Sequence, residues 1–287
     1  MSNDRLFPER KVSSIFLPSD FSEGSEIAFA HAMKLALASK ALLTVLHVQP
    51  GSSAKWEDFP GVRDTLERWN LIPKGSEKSA VAKLEIEVRK IIAKNQDPVK
   101  ECLSYLQVNA ADLIVLSVHP REGMMRWIGK SVGEPIASAS KQMTLFIPAG
   151  VNGFVSRQDG SVTLHNILIP IAETPDPQPA VEAVVRLIES LGVASGTVTL
   201  LRVSPPMDAK QVDIPNGSNW TWNELVLDGD PASMILQAAD HVSADLIVMT
   251  TDGPDGFLDG LRGTTSERVL SKAKCPVGNL PVGSLLG

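Results

Sequence analysis

The chain has 287 residues, of which 43% are hydrophobic and 21% are charged, so a disordered or fibrous chain is excluded. The length fits two domains of ordinary size, each long enough to bury its own core. The net charge of −6 argues against a broad nucleic-acid-binding surface, although backbone amides could still bind an anion locally.

The first half of the chain alternates between short apolar runs and segments whose apolar residues have helical spacing. Strands are predicted at residues 12–17, 41–48, 84–92, 113–118 and 143–147. Helices are predicted at residues 21–40, 62–69, 98–108 and 132–140, and the rest of residues 49–79 is expected to be irregular. Asp97 and Pro98 are the N-cap and first residue of the third helix. His31, on the first helix, is interpreted as a surface or packing residue rather than a ligand.

The second half repeats this order of elements. Strands are predicted at residues 165–171, 197–203, 221–227, 245–250 and 276–280, and helices at residues 178–191, 231–242 and 264–273. Trp220 and Trp222 share one face of their strand and are interpreted as packing residues. The alternation predicts an α/β fold with two tandem open, mainly parallel, five-stranded doubly wound sheets of the Rossmann-like kind.

Residues 151–164 connect the two halves. They contain a turn at residues 158–160 between short apolar stretches, which is typical of a β-hairpin. We therefore expect a first domain at residues 1–150, a hairpin linker at residues 151–164 and a second domain at residues 165–287.

The cysteines and the N-terminus bear on the compartment. Cys102 and Cys275 form no disulfide framework, and each is predicted to be a buried structural residue. Residues 1–10 lack the apolar core of a signal peptide, and no apolar run reaches the roughly 18 residues that span a membrane. We expect a cytoplasmic protein whose partners include neither membranes nor nucleic acids.

The two halves are related by a constant offset. The sequence Asp-Leu-Ile-Val at residues 112–115 recurs at residues 245–248, an offset of 245 − 112 = 133. The same offset relates further pairs of identical or similar residues: Asp97 and Asp230, Gly123 and Gly256, Ser131 and Thr264, Glu134 and Glu267, Pro148 and Pro281. Two homologous units without an insertion across this span are therefore predicted.

One loop differs between the two copies in a way that matters for ligand binding. The second copy has Gly253, Gly256 and Gly263, whereas the first has Pro120 and Lys130 at the positions of Gly253 and Gly263. Glycine allows a positive φ and a close approach of the backbone to a ligand, while proline has no N–H to donate. Free N–H groups at the start of the following helix favour an anion. The second copy is thus predicted to bind phosphate, and a glycine-rich loop that merely caps a helix is the alternative.

Several features of each half resemble a universal stress protein domain. They are the strand ends at residues 17–20 and 169–170, His47 and Val48, the two Ala-Asp-Leu-Ile-Val segments, and the family's ATP-binding loop G-x2-G-x9-G-[ST]. Aligned to that loop are Thr250, Gly253, Gly263 and Thr264 in the second copy, and Ser117, Pro120, Lys130 and Ser131 in the first. The resemblance implies the strand order 3-2-1-4-5. It also implies association through the fifth strands, here within one chain as a pseudo-dimer, with a homodimer of chains as a further option.

The resemblance also implies the residues of two candidate sites. The nucleotide site of the second copy comprises Pro170, Ile171, Ala172, Val203, Thr250, Gly253, Gly256, Gly263, Thr264, Thr265 and Ser266. A second site in the first copy comprises Ser19, Asp20, Val48, Ser117, His119, Lys130 and Ser131. Each site departs from the family pattern, because Ala172 replaces the acidic residue that contacts the nucleoside and the first copy has lost the loop glycines.

Three functional hypotheses follow. The first is a stress-response module that binds ATP or a related adenine nucleotide, with or without Mg²⁺, and regulates a protein partner. Hydrolysis would be slow at most, because no general base or metal site can be assigned, although Asp252 and Asp255 are candidates. The second is a scaffold that binds no nucleotide. The third is a binder of another anionic small molecule through Asp20 and Lys130.

Overall fold

The computed structural model describes residues 11–49, 51, 54–118, 133–204, 211–215, 219–251 and 264–283. The first unit has five strands: β1 (Ser14–Pro18), β2 (Leu42–Gln49), β3 (Glu87–Lys94), β4 (Leu113–Val118) and β5 (Met143–Pro148). Its helices are α1 (Glu23–Ser39), α2 (Val62–Arg68), α3 (Lys78–Ala82), α4 (Pro98–Val108) and α5 (Gly133–Ser140), with a short 3-10 helix at Trp56–Asp58.

The second unit repeats the alternation of strand and helix. Its strands are β6 (Asn166–Ile171), β7 (Gly196–Ser204), β8 (Trp220–Asp228), β9 (Leu246–Thr251) and β10 (Val277–Pro281). Its helices are α6 (Gln178–Leu191), α7 (Pro231–His241) and α8 (Thr265–Leu270).

All ten strands belong to one sheet in the order β3-β2-β1-β4-β5-β10-β9-β6-β7-β8. The strands are parallel within each unit, and the expected order 3-2-1-4-5 is confirmed in both. The units join through antiparallel pairing of β5 with β10, which confirms the expected contact between the fifth strands. Leu145 lies opposite Gly278, and 278 − 145 = 133 is the repeat offset. A local twofold axis therefore passes through this pair.

Each face of the sheet carries a core that extends through both units. Successive side chains of a strand point to opposite faces, so Leu17 and Ile169 enter one core while Phe16 and Leu168 enter the other. On the first face, α1 and α6 contact each other across the seam between the units. The second face is covered by α4, α5, α7 and α8. Both sides of the seam are thus sealed by apolar packing, and the two units share their cores.

The repeated aspartates Asp112 and Asp245 hold the start of the first strand in each unit. Asp112 Oδ2 accepts hydrogen bonds from the backbone N–H groups of Ser13 and Ser14 at 2.7 and 2.9 Å. Asp245 Oδ2 accepts from those of His165 and Asn166 at 2.8 and 2.9 Å. The repetition of these aspartates therefore reflects a structural task.

The structure differs from the predicted elements in three places that have a clear cause or were not expected. The third strand begins at Glu87 rather than at residue 84, because Glu85 adopts a positive φ of 56° that turns the chain after α3. Helix α3 was not predicted, and it begins at the end of the segment 49–79 that was expected to be irregular. The last helix covers Thr265–Leu270 instead of residues 264–273, because Ser271 caps it and the chain then turns into β10.

The segment between the units folds back onto the first unit. An antiparallel bridge joins Val155 and Val162, and Phe154 and Val155 are each only 1% exposed. The guanidinium of Arg157 contacts the carboxylates of Glu23 and Glu26 on α1 at 3.1 and 3.3 Å. The linker therefore belongs to the packing of the first unit.

His31 fixes this linker from the middle of α1. The side chain is fully buried, and its Nε2 accepts hydrogen bonds from the backbone N–H groups of Phe154 and Val155 at 3.0 and 3.2 Å. Nδ1 must then carry the proton, which it donates to the carbonyl oxygen of Ile27 at 2.8 Å. Burial outweighs this last bond and lowers the pKa of His31 from 6.5 to about 4. His31 is thus a packing residue with a specific polar role.

Gly153→Ala should destabilise the protein through a clash with His31. Gly153 has a φ of +69°, and an added Cβ would lie 2.3 Å from His31 Nε2. Gly150 has a similar φ of +78° but no atom within 4 Å of such a Cβ. Both alanine variants share a backbone strain of about 1 kcal/mol, so Gly150→Ala is the matched control. We expect Gly153→Ala to lower the free energy of unfolding by about 2 kcal/mol more than the control in urea titrations. Equal losses would contradict the packing of Gly153 against His31.

The buried imidazole should make stability depend on pH. The unfolded chain protonates His31 near its ordinary pKa of 6.5, whereas the folded chain resists protonation until about pH 4. The contribution is therefore complete above pH 6.5 and is lost progressively as the pH falls to about 4, by roughly 3 kcal/mol. His31→Gln removes this titration. The loss of unfolding free energy between pH 7 and pH 4 should be smaller in the variant, and identical losses would refute the proposed role of His31.

Candidate functional site

The carboxyl ends of the parallel strands are where doubly wound sheets bind ligands. In the first unit β1 lies beside β4, and in the second unit β6 lies beside β9. Because β5 and β10 are antiparallel, the carboxyl ends of the two units face opposite ends of the common sheet. The structure therefore separates two candidate sites, one in each unit.

In the second unit, three strand ends contribute predicted site residues. Pro170 and the buried Ile171 end β6, and the exposed Ala172 follows directly. Val203 lies near the end of β7 and packs against the core of the second face. Thr250 is half-buried near the end of β9, one residue before the glycine loop begins. The three strand ends are neighbours, because β6 pairs with both β7 and β9.

Thr264 caps the helix that follows the glycine loop. Its Oγ1 accepts a hydrogen bond from the backbone N–H of Glu267 at 3.2 Å, and its carbonyl oxygen accepts from that of Arg268 at 3.0 Å. Thr265 is exposed and Ser266 is half-buried in the first turn. The three glycines assigned to this site lie outside the described residues: Gly253, Gly256 and Gly263.

The two units differ in charge at the end of their first strand. The register places Pro18 opposite Leu46 and Pro170 opposite Leu201, so the two prolines occupy the same place. Two residues after them the first unit has Asp20 and the second has Ala172. The second unit accordingly has a methyl group instead of a carboxylate at this position.

Asp20 of the first unit is engaged by its own loop. Its Oδ1 accepts hydrogen bonds from the backbone N–H of Ser22 at 3.0 Å and from Ser25 Oγ at 2.6 Å. Partial burial opposes ionisation of this carboxyl, but the hydrogen bonds from Ser22 and Ser25 outweigh it and lower its pKa. Asp20 is therefore ionised at neutral pH and orders the start of α1.

An aromatic stack beside Asp20 was not foreseen from the sequence. Phe21 has a positive φ of 62° and stacks on the ring of His47, with 3.9 Å between the centroids. His47 Nδ1 donates to the carbonyl oxygen of the buried Ser19 at 2.8 Å, and Phe59 packs edge-on against Phe21. The sequence placed His47 at a strand end, but it gave no sign that this ring would pack against the residue following Asp20.

Two further predicted residues of the first site, Val48 and Ser117, lie near the ends of β2 and β4. Val48 is half-buried against the core of the second face. Ser117 Oγ is buried and has no hydrogen-bond partner among the residues that the structure describes. Three predicted residues lie outside that part of the chain: His119, Lys130 and Ser131.

An ion pair near Thr264 was also not predicted from the sequence. The guanidinium of Arg268 on α8 donates to both carboxylate oxygens of Asp230, the N-cap of α7, at 2.7 and 2.5 Å. Arg268 first, and Ser233 second, hold the pKa of Asp230 well below its usual range. The two partners are 38 residues apart, so no local spacing pointed to the pair.

The described ranges contain no group of three or more His, Cys, Asp or Glu side chains that could hold a metal ion. None of the helices found there is both long and apolar enough to cross a membrane.

Comparisons with known proteins agree with the repeat and the fold. The sequence profile of the Universal stress protein family matches residues 12–148 and 221–278, more than half of the chain. A universal stress protein of Methanocaldococcus jannaschii is 46% identical over 52 residues, which are 18% of this chain and 31% of that protein. One from Thermus aquaticus is 47% identical over 53 residues, 18% of this chain and 39% of that protein. The matches to both relatives thus span well under two thirds of their length.

A solved structure extends the similarity to nearly the whole chain. The crystal structure of a universal stress protein from Archaeoglobus fulgidus superposes with a TM-score of 0.60. It covers 94% of this chain and 98% of that chain at 15% identity, a similarity that concerns the fold alone.

Proposed function

The chain belongs to the universal stress protein family, and from that premise we propose that its second unit binds ATP or a related adenine nucleotide. One observation carries the proposal. The second unit retains Gly253, Gly263 and Thr264 of the family's nucleotide loop, whereas the first has Pro120 and Lys130 at the two glycine positions. If only the second unit must bring its backbone close to a ligand, the glycines are expected to be retained in that unit alone.

The capping geometry of Thr264 suits a phosphate ligand. Its hydroxyl oxygen is used as an acceptor by the N–H of Glu267, which leaves the hydroxyl hydrogen to donate to a phosphate oxygen. The first N–H groups of a helix have no acceptor within the helix and can donate alongside it. We assign the phosphate groups, with or without Mg²⁺, to the segment from Thr250 to Ser266.

We expect the nucleoside to be bound largely through shape complementarity. Pro170, Ile171 and Val203 supply apolar contacts, and Ala172 supplies no carboxylate for the ribose hydroxyls. Binding with a Kd of about 10 μM requires roughly 7 kcal/mol, which a phosphate cradle and a buried base could provide. The bound nucleotide would act as a regulatory signal, with hydrolysis slow at most.

The cysteines fit a cytoplasmic location for this role. Cys102 and Cys275 are both buried free thiols, and burial raises the pKa of each to about 12. Such thiols are inert and need no oxidising compartment.

Gly263→Asp should abolish ATP binding while leaving thermal unfolding largely unchanged. A carboxylate at this position would both block the backbone and repel the phosphates. Lys130→Asp, the same change at the aligned position of the first unit, is the matched control and should bind ATP like the unmodified protein. Isothermal titration with ATP measures both. If the unmodified protein binds no ATP at millimolar concentration, the proposal fails and the ligand-free scaffold is favoured.

The absence of a carboxylate at Ala172 predicts weak recognition of the ribose. ATP and 2′-deoxy-ATP should bind with affinities within about twofold, since Ala172 has no carboxylate that could accept a hydrogen bond from the 2′-hydroxyl. Ala172→Asp should increase the preference for ATP about fivefold, the value of a hydrogen bond of roughly 1 kcal/mol. Competition titrations with the two nucleotides measure this preference. A strong preference already present in the unmodified protein would show that another group reads the ribose.

A further inference from the structure

The starts of α7 and α8 are tied together by one ion pair. Both carboxylate oxygens of Asp230 accept from the guanidinium of Arg268, at 2.7 and 2.5 Å. Asp230 Oδ2 also accepts from the backbone N–H and the hydroxyl of Ser233, at 3.0 and 2.6 Å. A planar, two-pronged contact of this kind fixes orientation as well as distance. The Arg268 side chain consequently has a defined anchor on the neighbouring helix.

Arg268 passes this constraint to the residue that ends the glycine loop. Its own backbone N–H donates to the carbonyl oxygen of Thr264 at 3.0 Å. The side chain of Arg268 is thus held by Asp230 while its backbone holds Thr264. The two helices are also joined by apolar packing, because Val269 of α8 and Ala232 of α7 belong to the same buried core. The position of Thr264 therefore depends on a chain of contacts that starts at the N-cap of α7.

The first unit has half of this arrangement. Asp97 caps α4 as Asp230 caps α7, by accepting from the backbone N–H of Lys100 at 3.1 Å. The position equivalent to Arg268 is 268 − 133 = 135, and Pro135 stands there without a guanidinium. The unit that keeps the loop glycines is also the unit that has the ion pair. Both differences lie close together in the chain, because Arg268 follows Gly263 by 268 − 263 = 5 positions.

We propose that Arg268 is a positioning residue for nucleotide binding, which acts by fixing Thr264 at the start of α8 through Asp230. The inference rests on the proposed function, because it supposes that phosphate binds where the loop meets α8. Arg268 does not need to touch the nucleotide. If Thr264 is already held in place before binding, the cost of ordering this residue is avoided when the ligand arrives.

Substitutions of both partners test the inference in the full-length protein. Arg268→Gln and Asp230→Asn should each weaken ATP binding about fivefold to tenfold in isothermal titration. The double variant should be little worse than either single one, because both remove the same contact. Arg268→Lys should lose less than Arg268→Gln, since an ammonium can still pair with Asp230 but without the two-pronged geometry.

A second ion pair, which involves the other end of α7, provides the matched control. Lys274 Nζ contacts Asp240 Oδ2 at 2.6 Å, towards the opposite end of α7. Lys274→Gln should therefore leave the affinity for ATP unchanged. Thermal unfolding of each variant checks that the second unit remains folded.

The outcomes of these titrations distinguish the positioning role of Arg268 from the proposed function. Unchanged ATP affinity in Arg268→Gln would overturn the positioning role and leave the proposed function intact. Equal losses in the lysine and glutamine variants, or fully additive losses in the double variant, would show that the ion pair is not the cause and would also overturn it. Absence of ATP binding by the unmodified protein would overturn both the proposed function and this inference.

Discussion

The antiparallel pairing of β5 with β10 is the contact on which the rest of the architecture depends. It converts two parallel sheets into one sheet of ten strands and lets the cores on both faces extend across the seam. It also places a local twofold axis between Leu145 and Gly278, so the carboxyl ends of the two units point away from each other. The separation of the two candidate sites is a geometric consequence of that axis.

The residues that recur in both units and the residues that differ between them serve different physical tasks. Asp112 and Asp245 recur because the same two backbone N–H groups at the start of a first strand need an acceptor in each unit. Gly253, Gly263 and the ion pair of Arg268 have no counterpart at the equivalent positions of the first unit. The repeated aspartates therefore mark a folding requirement, while these unrepeated features mark the unit in which we propose nucleotide binding.

The linker shows how a single buried polar residue can specify a docking position. The neutral His31 ring donates to its own helix through Nδ1 and accepts two linker N–H groups through Nε2, so every polar atom involved is satisfied. Only the neutral form with the proton on Nδ1 can do both. The linker N–H groups of Phe154 and Val155 would otherwise be buried without an acceptor, which is costly.

The sequence by itself determined the fold class, the repeat and most element bounds, because these follow from local periodicity and capping. Helix α4 begins at Pro98 after the Asp97 cap, as predicted, and β4 covers the apolar run that indicated it. The start of β3 was missed because the positive φ of Glu85 has no sequence signature comparable to a glycine. Of the candidate site, the sequence indicated the loop glycines and the missing acid at Ala172. The contacts of Arg268 with Asp230 and of His31 with the linker were decided only by the tertiary structure. Each contact joins segments that are distant in the chain and are brought together by strand order and helix packing.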